Sequence, residues 1–245
     1  MAFKGIILEN IILRLGDFLL GTQLIKQLKI QRTYNKFTEH QLADLQLIKL
    51  RHILIHATKT CQAYQNFKSL EQDPKKWLKK FPILSKSQIS SDNDSFLSSI
   101  YKKNSLIKYE TSGSSGVKTT IYVDKKEQSI FRSILINWWE WTGYYLGKPM
   151  VQTGISPERG FIKSVKDKLL STIYIDAFGL NEKDIIKRLN LIKSNKKYTL
   201  GGFASSLFVI SKVVEKNKIK CRFDNIISWG DKLFSHYEKS IEHIL

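Results

Sequence analysis

A run of small hydroxylated residues and glycines is the strongest candidate for a chemical site in this sequence. It comprises Thr111, Ser112, Gly113, Ser114, Ser115 and Gly116, and Lys118 follows two residues later. The glycines let the backbone turn tightly around an anion, while successive N–H groups and the hydroxyls offer hydrogen bonds to phosphate oxygens. Such a loop binds phosphate without positioning a nucleophile, which suits a reaction whose leaving group is pyrophosphate. On composition alone, a flexible surface turn remains the alternative.

The residues on either side of this run predict the elements that hold it. Leu106 and Ile107 precede the run, and Ile121, Tyr122 and Val123 follow it. Because β-branched and aromatic side chains favour strands, the pattern predicts a strand, a small-residue loop and a second strand.

Further elements are predicted along the rest of the chain. Capping boxes predict helices that begin after Thr38, with Gln41, and after Ser85, with Gln88. The other predicted elements are an apolar helix in 128–146 assigned to the core, a strand in 171–175, a helix in 181–194, a strand in 198–200 followed by Gly201 and Gly202, a helix in 205–216, a strand in 225–228 and a terminal helix. This alternation predicts an α/β fold with mixed β-sheets packed with helices.

Two other motifs carry no chemical assignment. The stretch from Gly143 to Lys148 has the glycines and lysine of a Walker loop, but its spacing is one residue short and Pro149 replaces the required Ser or Thr. His52 and His56 stand four residues apart on a predicted helix, without a third ligand in the local sequence, and we interpret them as packing residues. No metal ligands are therefore assigned.

The number of cysteines and the N-terminal segment indicate where in the cell the protein would be found. Cys61 and Cys221 are too few for a disulfide framework, which favours a reducing cytoplasm. The apolar run 5–25 is interrupted by charged residues before it reaches the length of a membrane span. We interpret residues 1–35 as a helical N-terminal extension, with peripheral membrane contact as an open alternative.

The charge balance is strongly basic. The 245 residues contain 40 Lys plus Arg and 22 Asp plus Glu, a formal net charge of +18. Such a field attracts polyanions and anionic membranes without specificity. Because the lysines are spread along the chain rather than clustered in one stripe or module, specific nucleic-acid binding is not predicted.

Several stretches together resemble one protein superfamily. TSGSSGVKT is similar to the signature loop of the adenylate-forming enzymes, which include acyl-CoA synthetases. FPILSKSQI, LRHILIHATKTCQAYQNF, GGFASSLFVISK and ISWGDKLF also resemble elements of this superfamily. The branch most similar to the sequence is that of phenylacetate-CoA ligases and the related capsular-polysaccharide adenylyltransferase-like proteins, and the resemblance covers residues 30–245.

The resemblance implies an ATP-dependent ligase that uses Mg²⁺, forms an acyl adenylate from a small-molecule carboxylate, and passes the acyl group to CoA or another acceptor. An aromatic acid is the family expectation for the carboxylate. The 111–118 run would bind phosphates. The residues implied to flank adenine and the acyl group are Gly201, Gly202, Phe203, Ala204, Ser205, Trp229, Gly230 and Asp231.

The sequence departs from the family pattern in three respects. Lys118 replaces the usual proline, and Asp231 replaces the usual glutamate. The Tyr-Gly-x-x-Glu motif, the ribose-binding aspartate and the catalytic lysine do not occur up to Leu245, so catalytic residues are expected beyond it. The sequence therefore predicts the N-terminal domain (1–245) of such a ligase, truncated and inactive alone. An interrupted gene, a split gene with a complementing C-terminal chain, and an incomplete sequence are open alternatives for the origin of the truncation. A non-catalytic binding module with a basic surface for an anionic partner is the alternative.

Overall fold

The computed structural model of the chain describes residues 3–111, 118–154, 167–177, 179–193 and 195–245. They form an α/β structure with one antiparallel and one parallel sheet, as the sequence predicts. The chain divides into two units. Met1–Gly16 with Leu135–Leu245 form the sheet unit, and Asp17–Ile134 form the helical unit.

The N-terminal residues are helical. Helix α1 (Phe3–Ile7) leads through a π-helical turn (Leu8–Ile12) into α2 (Leu13–Leu20), and α3 (Leu24–Tyr34) follows. In the described part of the chain, no helix combines the length and the apolar character needed to cross a membrane.

The helical unit continues with α4 (Glu39–Thr60), α5 (Pro74–Leu78) and α6 (Lys86–Ser91). Both predicted capping boxes are confirmed. Thr38 and Ser85 each accept a hydrogen bond from the backbone three residues on, and the Gln at that position bonds back. Single 3-10 turns occur at Gln62–Phe67, Asn93–Phe96 and Lys103–Ser105.

A two-stranded antiparallel sheet follows in the same unit. Strand β1 (Ile107–Glu110) pairs with β2 (Thr120–Val123), with Glu110 opposite Thr120. This confirms the two predicted strands, whereas residues 112–117 of the predicted loop lie outside the described residues.

Helix α7 (Lys125–Glu140) corrects one prediction from the sequence. It was assigned to the core, yet Phe131, Trp138 and Trp141 are 65%, 51% and 67% exposed. The apolar residues of this segment surround the helix axis, and they cannot all face one core because successive residues lie about 100° apart.

The sheet unit contains a four-stranded parallel sheet in the order β4-β3-β5-β6. Its elements after α7 are β3 (Met150–Gly154), β4 (Thr172–Asp176), α8 (Glu182–Leu189), β5 (Thr199–Phe203), α9 (Ala204–Lys216), β6 (Asn225–Trp229) and α10 (Ser235–Ile244). One face of the sheet is covered by apolar residues of the helices, including Ile185, Leu207 and Ile241, which form the core with Val151 and Leu200.

Three predictions for this unit differ from the structure. Central strand β3 was not predicted at all. The helix predicted over 181–194 ends at Leu189, because the N–H groups of Leu191 and Ile192 bond carbonyls three residues back. Gly201 and Gly202 lie within β5 rather than after it, since both pair with β6.

Candidate functional site

The topology of the parallel sheet makes the carboxyl ends of β3 and β5 the candidate position for a ligand. The chain passes from β3 outwards to β4, then returns to place β5 on the other side of β3. In open α/β sheets, ligands bind beyond the carboxyl ends of the strands at the point where the strand order reverses. Here that point lies between Thr153 in β3 and Phe203 at the end of β5.

Gly202 allows β3 and β5 to pack closely at this point. A β-carbon built on Gly202 would lie 2.0 Å from Oγ1 of Thr153. The Thr153 side chain is 1% exposed, and its hydroxyl accepts a hydrogen bond of 3.1 Å from the Phe203 N–H. The absence of a side chain at position 202 therefore makes room for a buried hydroxyl that fixes the last residue of the strand.

Gly201 has a corresponding function on the other face of the sheet. A β-carbon there would lie 2.5 Å from Met150 and 2.7 Å from the Trp229 ring. Trp139 stacks on Trp229 with centroids 5.7 Å apart, and Tyr144 meets Trp139 edge-on. The space beside Gly201 is thus filled by side chains of the same unit.

Asp231 connects the end of β6 to the start of α9. Its carboxylate accepts hydrogen bonds from the backbone N–H groups of Ala204, at 2.6 Å, and Ser205, at 3.0 Å. These are among the first N–H groups of α9, which have no partner within the helix. The aspartate that departs from the family's glutamate therefore caps this helix from 27 residues away.

The electrostatics of this contact favour the ionised carboxylate. Burial on its own would raise the pKa of Asp231, but hydrogen bonds from Ser205 and from the Ala204 backbone outweigh it and hold the pKa below its usual value. A negative charge at a helix N-terminus is also favoured by the helix dipole. Asp231 is therefore an anion at neutral pH, and it occupies the N–H groups that could otherwise bind a ligand's anion.

Gly230 fits the turn between Trp229 and Asp231. Its φ of +85° lies in the left-handed region that favours glycine. A β-carbon at this position would approach the Phe203 ring to 2.4 Å. The turn after β6 therefore packs directly on the last residue of β5.

The predicted phosphate loop lies in the helical unit, and only its ends are described. Ser112, Gly113, Ser114, Ser115 and Gly116 lie outside the described residues. Thr111 and Thr119 close the hairpin with two hydrogen bonds of 3.0 Å, from each N–H to the other residue's carbonyl or hydroxyl oxygen. The carbonyl of exposed Lys118 accepts a hydrogen bond from the Ser90 hydroxyl at 2.8 Å.

Thr119 ends the TSGSSGVKT stretch, but it was not assigned as a phosphate-binding residue from the sequence. Its hydroxyl is buried and has no hydrogen-bond partner among the described residues. Buried polar groups are normally hydrogen-bonded, so an unpartnered hydroxyl beside the loop is consistent with a ligand or loop contact. The sequence signal was the hydroxyl of the residue that directly follows Lys118.

A small cavity lies at the carboxyl end of β4. It has a volume of about 130 Å³ and is lined in part by Asp176, Asn181, Asp184 and Arg188. That volume is below the range of pockets that enclose a nucleotide-sized ligand, which starts at about 300 Å³. Among the described residues, no group of three or more His, Cys, Asp or Glu side chains is placed to hold a metal ion.

The structure brings together the residues that the sequence placed in two separate stretches. Phe203 pairs with Trp229, and Asp231 bonds to Ala204 and Ser205. Thr153 and Trp139 also contribute, although neither was assigned to a site. Thr153 could not be found because β3 itself was not predicted, whereas Trp139 lies in the apolar helix predicted over 128–146 and was assigned to the core.

Two solved structures of a CoA ligase are similar to this fold. A structure of 2-hydroxyisobutyryl-CoA ligase in the postadenylation state, in complex with R3-HIB-AMP, matches 80% of this chain and 45% of its own, with a TM-score of 0.56 and 12% identity. An open conformation of the same ligase, in complex with 2-HIB-AMP and CoA, matches 84% of this chain and 53% of its own, with a TM-score of 0.58 and 12% identity.

At 12% identity these matches show the fold alone: the chain is similar in fold to part of this ligase. The chain spans about half the length of the two ligase structures. The sequence matches no family model and none of the curated proteins.

Proposed function

We propose that the chain is part of an ATP-dependent ligase that activates a carboxylate. In the first step, a carboxylate oxygen attacks the α-phosphorus of ATP, the bond to the β-phosphate oxygen breaks, and acyl adenylate and pyrophosphate form. In the second step, a thiol or another acceptor attacks the acyl carbon and AMP leaves. The observation that carries the proposal is the contact between two neighbouring strand ends: Asp231, which follows β6, accepts a hydrogen bond from the first turn of α9, which follows β5. This contact lies next to the point where the strand order reverses, in a fold similar to that of adenylate-forming ligases.

The described residues support a binding role at the ends of β5 and β6. Phe203 and Trp229 are half-buried aromatic residues at neighbouring strand ends. Aromatic side chains offer flat apolar surfaces for planar groups such as adenine or an aryl ring. Asp231 fixes this edge through the α9 N-terminus, so its role in the proposal is to position the turn rather than to react.

The 111–118 loop is proposed to bind the phosphates that leave as pyrophosphate. Support comes from its Ser, Thr and Gly content, from the hairpin that closes its ends, and from the unpartnered Thr119 hydroxyl. Backbone N–H groups, hydroxyls and the Lys118 charge would stabilise the negative charge that builds up on the leaving group. Because the described residues include no cluster of metal ligands, no step is assigned to Mg²⁺, which would arrive with the nucleotide.

The finer identity of the ligase rests on the sequence resemblance. It favours the phenylacetate-CoA ligase branch, an aromatic carboxylate, and CoA as one possible acceptor. The 2-hydroxyisobutyryl-CoA ligase structures are bound to an adenylate and to CoA, which is consistent with that reaction class.

Activity of these 245 residues alone is proposed to be negligible. The Tyr-Gly-x-x-Glu, ribose-binding and lysine motifs are not found among them, and transition-state stabilisation would need those groups. A polypeptide that supplies the other half of the ligase would complete the site.

The proposal is tested by carboxylate-dependent ATP–pyrophosphate exchange. The purified chain is assayed with Mg²⁺ and a panel of aryl, fatty and 2-hydroxy acids. The same assay is run on a longer protein that also contains a segment equivalent to the second half of the matched ligases. We expect exchange only in the longer form, and loss of that exchange when Gly113 and Gly116 are both replaced by valine.

A Gly16→Ala variant is the matched control, because nothing lies within 4 Å of a β-carbon at that position. Unchanged exchange in the Gly113→Val/Gly116→Val variant would remove the loop from the reaction. Folded proteins of both lengths without exchange on any acid would exclude the ligase and favour a binding module.

A further inference from the structure

The C-terminal end of α2 presents three consecutive apolar side chains to solvent. Phe18, Leu19 and Leu20, here called the apolar tip, are 83%, 71% and 64% exposed. The chain then reverses through Gly21, whose φ is +63°. Removing three such side chains from water would be strongly favourable. Their exposure therefore indicates an interaction surface that a membrane or another molecule covers.

The backbone carbonyls of Asp17, Phe18 and Leu20 are hydrogen-bonded within the chain. The Gly21 N–H donates to the Phe18 carbonyl at 3.3 Å, and the Thr22 N–H donates to the Asp17 carbonyl at 2.9 Å. This is the hydrogen-bond pattern of a Schellman helix end. Lys125 also donates from Nζ to the Leu20 carbonyl at 2.8 Å. These groups need no water, which removes a large cost of entering an apolar phase.

Asp17, the carboxylate at the turn, is also hydrogen-bonded within the chain. Asp17 accepts hydrogen bonds from the Thr22 hydroxyl at 2.6 Å, the Leu24 N–H at 3.0 Å and the Ile25 N–H at 2.8 Å. It thereby caps the N-terminus of α3, whose dipole offsets its charge. The turn is consequently held rigid, and its acidic group is directed inwards.

The residues that follow the tip are basic. Residues 17–36 contain four basic side chains, Lys26, Lys29, Arg32 and Lys36, and a single acidic one, Asp17. Lys26 and Lys29 are exposed and three residues apart, so they lie on the same side of α3. An exposed apolar tip followed by exposed lysines is complementary to a bilayer surface that carries anionic headgroups.

We propose that the apolar tip inserts into the interface of an anionic membrane, so that the protein is peripherally attached there. Successive helix residues lie about 100° apart, so three in a row spread around the helix end. A groove on a partner protein contacts one face of a helix, at positions i, i+3 and i+4. The fluid acyl chains of a bilayer, in contrast, can surround side chains that point in several directions. This arrangement therefore favours lipid over a protein partner, and the proposal is independent of the ligase function.

Vesicle co-sedimentation of the whole chain tests this proposal. The vesicles are pure phosphatidylcholine, or phosphatidylcholine with about one third phosphatidylserine. We expect binding to the anionic vesicles, weaker binding to the neutral ones, and a decrease with salt. The double variant Phe18→Glu/Leu19→Glu should bind the anionic vesicles at least about tenfold more weakly.

The double variant Leu70→Glu/Ile83→Glu is the matched control. It makes the same change of charge in the same unit at side chains that are 96% and 98% exposed. Insertion of the tip is supported if this control binds the vesicles as the wild type does and if all three proteins have equal melting temperatures.

Equal losses in both variants would show a purely electrostatic attraction and overturn the proposal. It would also be overturned if the wild-type chain did not bind anionic vesicles. Finally, analytical ultracentrifugation could show that the tip variant dissociates an oligomer while lipid binding is unchanged, in which case the tip contacts a second copy of the chain.

Discussion

The Asp231 carboxylate lies 2.6 Å from the backbone nitrogen of Ala204 and accepts its hydrogen bond. This contact connects the turn after β6 to the first turn of α9, which follows β5. Because β5 and β6 are neighbours in a parallel sheet, their carboxyl ends meet at one edge, and the aspartate holds that edge together. It explains how two separate stretches of sequence form one candidate site.

Replacing Asp231 should destabilise α9 at its N-terminus. Asp231→Ala removes both accepted hydrogen bonds and should lower the free energy of unfolding by about 1 kcal/mol. Asp231→Asn keeps one acceptor oxygen but loses the charge, and should have a smaller effect of about 0.5 kcal/mol. Urea unfolding followed by circular dichroism measures both differences. Equal stability of all three proteins would contradict the capping role.

The effect of Asp231 should also depend on pH. Its folded-state pKa is lowered, so its contribution is present above the unfolded-state pKa, about 3.9, and is lost as the pH falls through the lower folded value. The stability difference between the wild type and Asp231→Asn should therefore be constant near neutral pH and shrink below about pH 4. A difference that grew on acidification would have the wrong sign for this carboxylate.

Gly202→Ala should be strongly destabilising. The added methyl group would overlap with the Thr153 side chain at 2.0 Å, inside a closely packed sheet. Overpacking of this kind costs about 1–3 kcal/mol. Gly16→Ala is the control, because it lies in helix α2 with open space around it and should be neutral or stabilising by up to about 1 kcal/mol. Thermal unfolding of the two variants distinguishes the effects.

A double-mutant cycle identifies the partner of Gly202. In a Thr153→Ala background the nearest atom is removed, although the β-carbon of residue 153 remains 2.9 Å away. Gly202→Ala should therefore cost less there than in the wild type, with a coupling energy of about 1 kcal/mol. Additive effects would show that the methyl group is accommodated elsewhere.

Tyr144 should ionise well above the usual range for tyrosine. Burial, followed by the nearby Glu140 and Tyr174, raises its pKa to about 12. A raised folded-state pKa means that its contribution to stability is complete below pH 10 or so and is lost as the pH rises through the folded value. A titration followed at 295 nm should show a late-ionising tyrosine that Tyr144→Phe removes. Identical titration curves for the two proteins would exclude it.

Local features of the structure could be predicted from the sequence. The capping boxes at Thr38 and Ser85 were found correctly because each depends on two residues three positions apart. The hairpin around the 111–118 run was predicted for a similar reason, since β-branched and aromatic residues flank a run of small residues.

Features that depend on distant contacts could not be predicted in the same way. Strand β3 is only five residues long, with no clear apolar period, yet it pairs with both β4 and β5 and is central in the sheet. The two glycines of β5 resembled a turn because glycine weakens isolated strands. Only the side chains of Thr153 and Trp229, which come from other strands, show why glycine is required there.

The sequence by itself determined the α/β class, the starts of the helices with capping boxes and the proposal of a phosphate-binding role for the 111–118 run, because these depend on residue type and short spacing. The tertiary structure decided which strands are neighbours, which face of α7 is exposed, and that Asp231 caps α9. Those relationships depend on long-range pairing and on how side-chain volumes fill the same space, and neither is encoded in any single stretch of the chain.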